Sequence, residues 1–166
     1  MKKVKSSNQN KTTLQADNEK PFWETKSLSQ MSTSEWESLC DGCGRCCLNK
    51  VEFADTKEIY YTDVACKQLD LRTCQCKDYQ NRKKLVPDCI QLSPRNIKKL
   101  KYMPETCAYR LLATGGKLPK WHPLISKDPS SVHKAGISVR GKVTLENRIK
   151  DELEDHLIEW IKPCRK

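Results

Sequence analysis

Apolar residues recur along this chain in more than one rhythm. Toward the C-terminus Leu145, Ile149, Leu153, Leu157, Trp160 and Ile161 return mostly at steps of three and four, with charged residues between them. That period is one face of a helix, and it predicts an amphipathic packing helix over the last segment. EIYYTDVAC is dense in β formers and predicts a strand leading into Cys66. GISVRGKV predicts another, and KQLDLRT a turn or short strand before Cys74. SQMSTSEWESLC has a helix start, with Ser32 or Ser34 as the cap and Glu35 or Glu37 three residues later. Its end delivers Cys40. Ser93-Pro94 predicts a helix running to about Tyr102. Pro104 ends it and opens ETCAYRLLATGG, which Gly115-Gly116 close. WHPLISKDPSSVHKAG reads as loop. Residues 1–20 show no apolar period and hold five lysines, which predicts a disordered basic tail. One domain over 21–162 follows, with a terminal tail at 163–166.

Composition changes the picture. Of 166 residues, 31 are Lys or Arg and 21 Asp or Glu, so charge is high and the core small. Ten cysteines stand at 40, 43, 46, 47, 66, 74, 76, 89, 107 and 164. Disulfides, metal and redox catalysis are the three ordinary explanations. The basic N-terminus carries no apolar stretch of a signal peptide, and no run is long enough to span a membrane. The chain therefore reads as cytosolic, where thiols stay reduced, and metal leads. The fold class expected is α+β: a small, irregular, cysteine-rich domain stapled by metal, with short strands and the C-terminal helix. The formal charge of +10 treats each cysteine as neutral. One or two four-thiolate sites would reduce it to about +8 or +6. Arg45, Lys67, Arg72 and Lys77 flank the cysteines and are expected to lower their pKa values.

The densest chemistry is CDGCGRCC, residues 40–47. Cys40, Cys43 and Cys46 have gaps of two, the spacing that wraps one turn around zinc or around irons of an iron–sulfur cluster. Gly42 and Gly44 let backbone amides approach the sulfurs. Cys47 directly follows Cys46, and neighbouring side chains point apart, so Cys47 is expected to face a second metal or bridge two. Cys66, Cys74, Cys76, Cys89 and Cys107 supply further ligands. In an extended segment Cys74 and Cys76 face the same side. Nine thiols fit two tetrahedral sites with one to spare, or a shared multinuclear cluster. Cys164 reads as a bystander in a basic terminus.

On these residues the chain resembles the YkgJ/YcgN-type cysteine-cluster family of bacteria, whose hallmark is CxxCxxCC. The resemblance extends through FWETKSLSQMSTSEWESLCDGCGRCCL, EIYYTDVACKQLDLRTCQCKDY, PDCIQL, TCAYRLLATGGKLPKWHPL and VHKAGISVRG, about residues 21–142, and is closest to the YcgN branch. It implies a zinc- or iron-chelating domain without an assigned biological role. The motif cysteines carried over are Cys40, Cys43, Cys46, Cys47, Cys66, Cys74, Cys76, Cys89 and Cys107. Arg82 is followed by Lys83 where the wider family has Arg-Pro.

Other signatures fail. CGRC matches a thioredoxin pair but leaves the remaining cysteines unexplained, and GGK at 115–117 lacks the rest of a P-loop. His122 and His133 are candidate ligands or acid–base groups; His122, between Trp121 and Pro123, reads as held in a packed loop. His156 lies beside the apolar stripe, and Arg140 reads as a surface ion-pair residue. Metal ions are the expected partners, with no membrane. The cofactor expected is an iron–sulfur cluster or zinc. A nucleic-acid-binding module with structural zinc is the alternative, carried by the basic stretch Arg82 to Lys101. A metal-dependent enzyme is the third reading, without an acid–base constellation to name its reaction.

Overall fold

The computed structural model describes residues 20–100 and 102–165. The expected N-terminal tail falls outside the described residues, apart from Lys20. Helices are short: α1 Phe22–Thr25, α2 Thr33–Ser38, α3 Arg82–Leu85, α4 Ala108–Ala113, α5 Pro123–Ser126 and α6 Ser131–Lys134. Around them run strands β1 Leu48–Glu52, β2 Glu58–Ala65, β3 Thr144–Leu145 and β4 Cys164–Arg165. The class is small α+β, as expected. Ser32 caps α2 by accepting from the Glu35 amide, and the Glu35 carboxylate accepts from the Ser32 amide in return.

β2 organises the sheet. β1 pairs with it antiparallel, Lys50 opposite Tyr61 and Glu52 opposite Ile59. The other edge of β2 is covered by the C-terminal segment. Leu145 pairs with Ala65, Leu157 bridges Thr62, and Cys164 pairs with Ile59. The predicted C-terminal helix is therefore absent: 3-10 turns at Glu146–Arg148 and Leu153–His156 are all the helix there is. The reason is backbone satisfaction. An uncovered β2 edge would leave amides and carbonyls unpaired, and an extended segment covers them; the Ile158 amide donates to Tyr61 O at 3.0 Å. The apolar stripe is split accordingly. Leu145 and Ile161 are buried, whereas Leu157 and Trp160 are each 38% exposed. Cys164–Arg165, placed above in a terminal tail, belong to the sheet.

Two other expectations differ. Among the described residues of 93–102 only Ile97–Lys99 is helical, as a 3-10 turn. The Asn96 side chain accepts from the Ser93 amide and donates to Gln91 O, a local arrangement that competes with a longer helix. GISVRGKV is turn rather than strand before Thr144, and the loop-like 121–136 contains α5 and α6.

Buried side chains form two cores. One lies on the sheet: Leu48, Tyr61, Ala65, Leu69, Cys74, Val139, Leu145, Ile161 and Cys164. The other is helical: Leu39, Ile97, Met103, Cys107, Ala108 and Tyr109. Cys47 packs against the first and Cys46 against the second, so the paired cysteines straddle the seam.

Candidate metal centre

The loop carrying Cys40 to Cys47 leaves α2 and is pinned from several sides. Gly42 (φ 71°) and Gly44 (φ 74°) take the left-handed conformation that the tight turns need. Asp41 Oδ1 accepts from the Cys43 amide at 2.9 Å. The Val139 amide donates to Cys43 O at 2.9 Å. Arg45, itself buried, donates through Nε to Ile137 O at 2.6 Å and through Nη1 to Thr106 Oγ1 at 3.4 Å. His122 is fully buried just behind Cys40. Its Nδ1 accepts from the Leu124 amide, so its Nε2 carries the proton and donates to Leu39 O, both at 3.1 Å. Both ring nitrogens are occupied by backbone, and His122 is a strut. His133 Nδ1 pairs with Ser138 Oγ at 2.8 Å, and His156 with Asp63 at 2.8 Å.

Other segments bring the remaining thiols. Cys66, at the end of β2, donates its amide to Cys47 O at 2.9 Å. Cys76 sits opposite Leu69 in an isolated bridge. Cys89 follows α3, where Lys83 donates to the carbonyls of Pro87 and Cys89. Arg82 lies 3.8 Å over the Tyr79 ring and donates to Tyr79 O. Two residues of the basic stretch are thus tied into the loop that carries Cys89. Cys107 stands at the start of α4.

These thiols wall three adjoining spaces. An inner chamber of about 50 Å³ is bordered by Cys40, Asp41, Cys43, Cys46 and Cys107. A cavity of about 150 Å³ is bordered by Cys40, Cys46, Cys47, Cys66, Cys76 and Cys89, with Trp36, Tyr79 and Tyr109 in its wall. A wider recess of about 210 Å³ shares Cys46, Cys47, Cys66 and Cys89 and adds Lys50 and Glu146. Eight of the nine motif cysteines are gathered here. Cys74 is not. Its backbone is left-handed (φ 58°), which ends the alternation expected of Cys74 and Cys76. Its side chain is buried in the sheet core, with Ser138 and Arg140 beside its sulfur favouring the thiolate against the cost of burial. Arg140 is thereby given a partner that its sequence position did not suggest.

The Sγ atoms of Cys46 and Cys47 are 4.0 Å apart. Two thiolates on one tetrahedral zinc stand roughly 3.8 Å apart, given a Zn–S distance of about 2.3 Å. The donor set thus suits zinc or iron, although the thiols do not converge on one point. Among the described residues no three His, Cys, Asp or Glu side chains stand close enough together to hold an ion as they are. All ten cysteines are free of disulfides.

Burial, rather than the flanking basic residues, dominates the thiols. It pushes Cys40 and Cys107 up to about 12 and Cys43 well above its ordinary value. Cys40 keeps access to solvent while bordering both chamber and cavity. Burial also raises Cys66 and Cys89, so the cations near them do not prevail. Cys46 is the exception, drawn down to about 7 by the hydrogen bond from the Cys47 thiol, with the Lys50 ammonium assisting. Cys47, as the donor, is raised. Backbone amides offset part of the cost: the Gln68 amide donates to the Cys66 sulfur at 3.5 Å, and the amides of Gly42 and Arg45 act in the same sense on Cys40 and Cys43, each two residues on. Such N–H···S bonds favour thiolate, the form that binds metal.

Sequence reasoning missed Asp41 and the clamp from 137–139, whereas His122 is held in a packed loop as expected. Asp41 lies between two ligand-spaced cysteines like any turn residue, so only the fold distinguishes it.

Among the described residues no helix is long and apolar enough to cross a membrane. Residues 39–108 match a family model, CxxCxxCC, described as "Putative zinc- or iron-chelating domain". A UPF0260 protein of Rhodopseudomonas palustris is 58% identical over 141 residues, 84% of this chain and 83% of that protein. A UPF0260 protein of Brucella melitensis is 56% identical over 145 residues, 87% of this chain and 95% of that one. Another from Nitrobacter hamburgensis is 57% identical over 141 residues, covering 84% and 82%. No solved structure matches. Identity of this degree over nearly the whole described domain, cysteine loop included, means that the chain belongs to the UPF0260 family of CxxCxxCC proteins.

Proposed function

We propose that this chain is a metal-binding protein of a thiol-reducing compartment, the cytosol, and that eight cysteines hold zinc or an iron–sulfur centre in two sets. Cys40, Cys43, Cys46 and Cys107 form the inner set; Cys47, Cys66, Cys76 and Cys89 form the outer. The observation that carries this reading is convergence: five separate stretches of chain bring eight thiols to walls of adjoining spaces. A small domain with two modest cores gains most from such cross-links. Cys74 is left out because it is committed to the sheet core. Side-chain rotation of the thiols, on a backbone already pinned, closes each set. Zinc there would act as a staple, and an iron–sulfur centre would add electron transfer.

The outer set borders the two larger spaces. The test is metal content, acid-labile sulfide and visible absorbance of protein purified without oxygen, followed by melting before and after chelation. Zinc or iron at one or more ions per chain, with a lower melting temperature once stripped, is the expected result. Protein that folds and melts identically without any bound metal overturns the reading.

A further inference from the structure

Among the described residues Asp41 is the only buried acid. Its two carboxylate oxygens differ in fate. Oδ1 accepts from the Cys43 amide at 2.9 Å and shapes the turn. Oδ2 is buried without a hydrogen-bond partner. None of the ion pairs among the described residues involves Asp41. The Arg45 guanidinium donates to Ile137 and Thr106 and lies over Trp160, and forms no ion pair with Asp41. A carboxylate removed from water with one oxygen unsatisfied is costly, and such groups are ordinarily paired with a cation or bound to metal. Asp41 borders the inner chamber together with Cys40, Cys43, Cys46 and Cys107.

We infer that Asp41 Oδ2 is an oxygen donor to the ion of the inner chamber, which makes that centre a mixed sulfur–oxygen site. This inference rests on the metal-binding reading above and adds a residue that the cysteine motif does not name. Four thiols and a carboxylate exceed a tetrahedral set by one. Cys46 borders all three spaces and lies 4.0 Å from Cys47, so of the inner four it is the thiol placed to turn to the outer set, and Asp41 then completes the inner shell with Cys40, Cys43 and Cys107. Carboxylate beside thiolate suits zinc or ferrous iron and disfavours cuprous copper, which prefers sulfur alone.

Asp41→Asn separates the two roles, because its side-chain carbonyl still accepts from the Cys43 amide while the second oxygen becomes a neutral NH₂. The full chain, reduced and stripped of metal, is titrated with Zn²⁺ against a chromophoric chelator. At least a tenfold weakening of one site in the variant is expected, larger than any change at the other. Zinc-edge X-ray absorption of the wild type should show an oxygen scatterer at roughly 2.0–2.2 Å, lost in the variant. An all-sulfur shell in the wild type overturns the inference without recourse to the variant, as does zinc affinity equal to wild type in Asp41→Asn. Wild type that takes up no zinc at all removes the metal-binding reading itself, and the inference with it.

Discussion

Gly44 and Gly42 offer a matched pair for testing how the cysteine loop is built. Both have positive φ, 74° and 71°. Alanine at either pays the left-handed cost, about 1–2 kcal/mol. Both also gain a similar entropic offset in the unfolded chain, of about 0.4–1 kcal/mol. They differ in surroundings. A Cβ on Gly42 meets nothing within 4 Å, whereas one on Gly44 meets Val139 Cγ2 at 2.8 Å and Cys74 Cβ at 3.3 Å. Val139 is fully buried and β-branched, so it cannot swing aside, and its amide holds Cys43 O. Overpacking of this kind costs about 1–3 kcal/mol. Gly44→Ala should therefore be less stable than Gly42→Ala by about 1–3 kcal/mol, and should also loosen the tie between residue 139 and the loop. The assay is urea unfolding of both variants at fixed excess metal, with m-values compared to check that the transition keeps its two-state form. Equal destabilisation, or a greater loss for Gly42→Ala, would refute the packing of Gly44 against Val139 and Cys74.

Cys40 and Cys107, raised to about 12 from 9.0, give the metal-free protein a pH dependence with a definite sign. The unfolded chain releases these protons from about pH 9 and the folded chain only near 12, so stability is full below about pH 9 and is lost as pH climbs through that window. Metal-loaded protein should show the opposite trend on acidification, as protons compete for the thiolates. A urea midpoint of the metal-free protein that stays flat from about pH 8 to 11 would contradict the desolvation of these two sulfurs, of which Cys107 belongs to a buried residue and Cys40 to an exposed one. Replacing Cys89 by Ser should lower the metal bound per chain, while Cys74→Ser should leave it unchanged and reduce stability by about 1 kcal/mol. Metal loss on Cys74→Ser in protein that is still folded would place Cys74 back among the ligands.

Local features were the most legible in the sequence. The Ser32 cap, the β-rich stretch that became β2, and the turn glycines of the cysteine loop are decided within a few residues, and the structure has them where expected. Features decided by distant partners were not. The C-terminal stripe has helical spacing, yet the open edge of β2, about a hundred residues earlier in the chain, draws that segment out as irregular strand. Cys74 and Cys76 are two apart, and only the turn at Asp70 shows why they separate: its side chain accepts from the amides of Arg72 and Thr73, and its carbonyl from Cys74. The basic residues near the cysteines suggested acidic thiols, but charge along a sequence says little about burial, and burial prevails at most of them. Asp41 carries no signal in the sequence because its distinguishing property is an oxygen with no partner.

The seam between the two cores runs through a single peptide bond. Cys46 packs with the helical core and Cys47 with the sheet core, and adjacent Cα atoms stay about 3.8 Å apart whatever the side chains do. On the two-set reading, no flexible linker separates the inner ion from the outer one. Loading either set fixes the orientation of this peptide and so shifts the free energy of loading the other, and thermodynamic reciprocity makes the effect equal in both directions. The pair then behaves as a lever arm of one residue, and occupancy of one centre becomes readable at the other without any domain having to move.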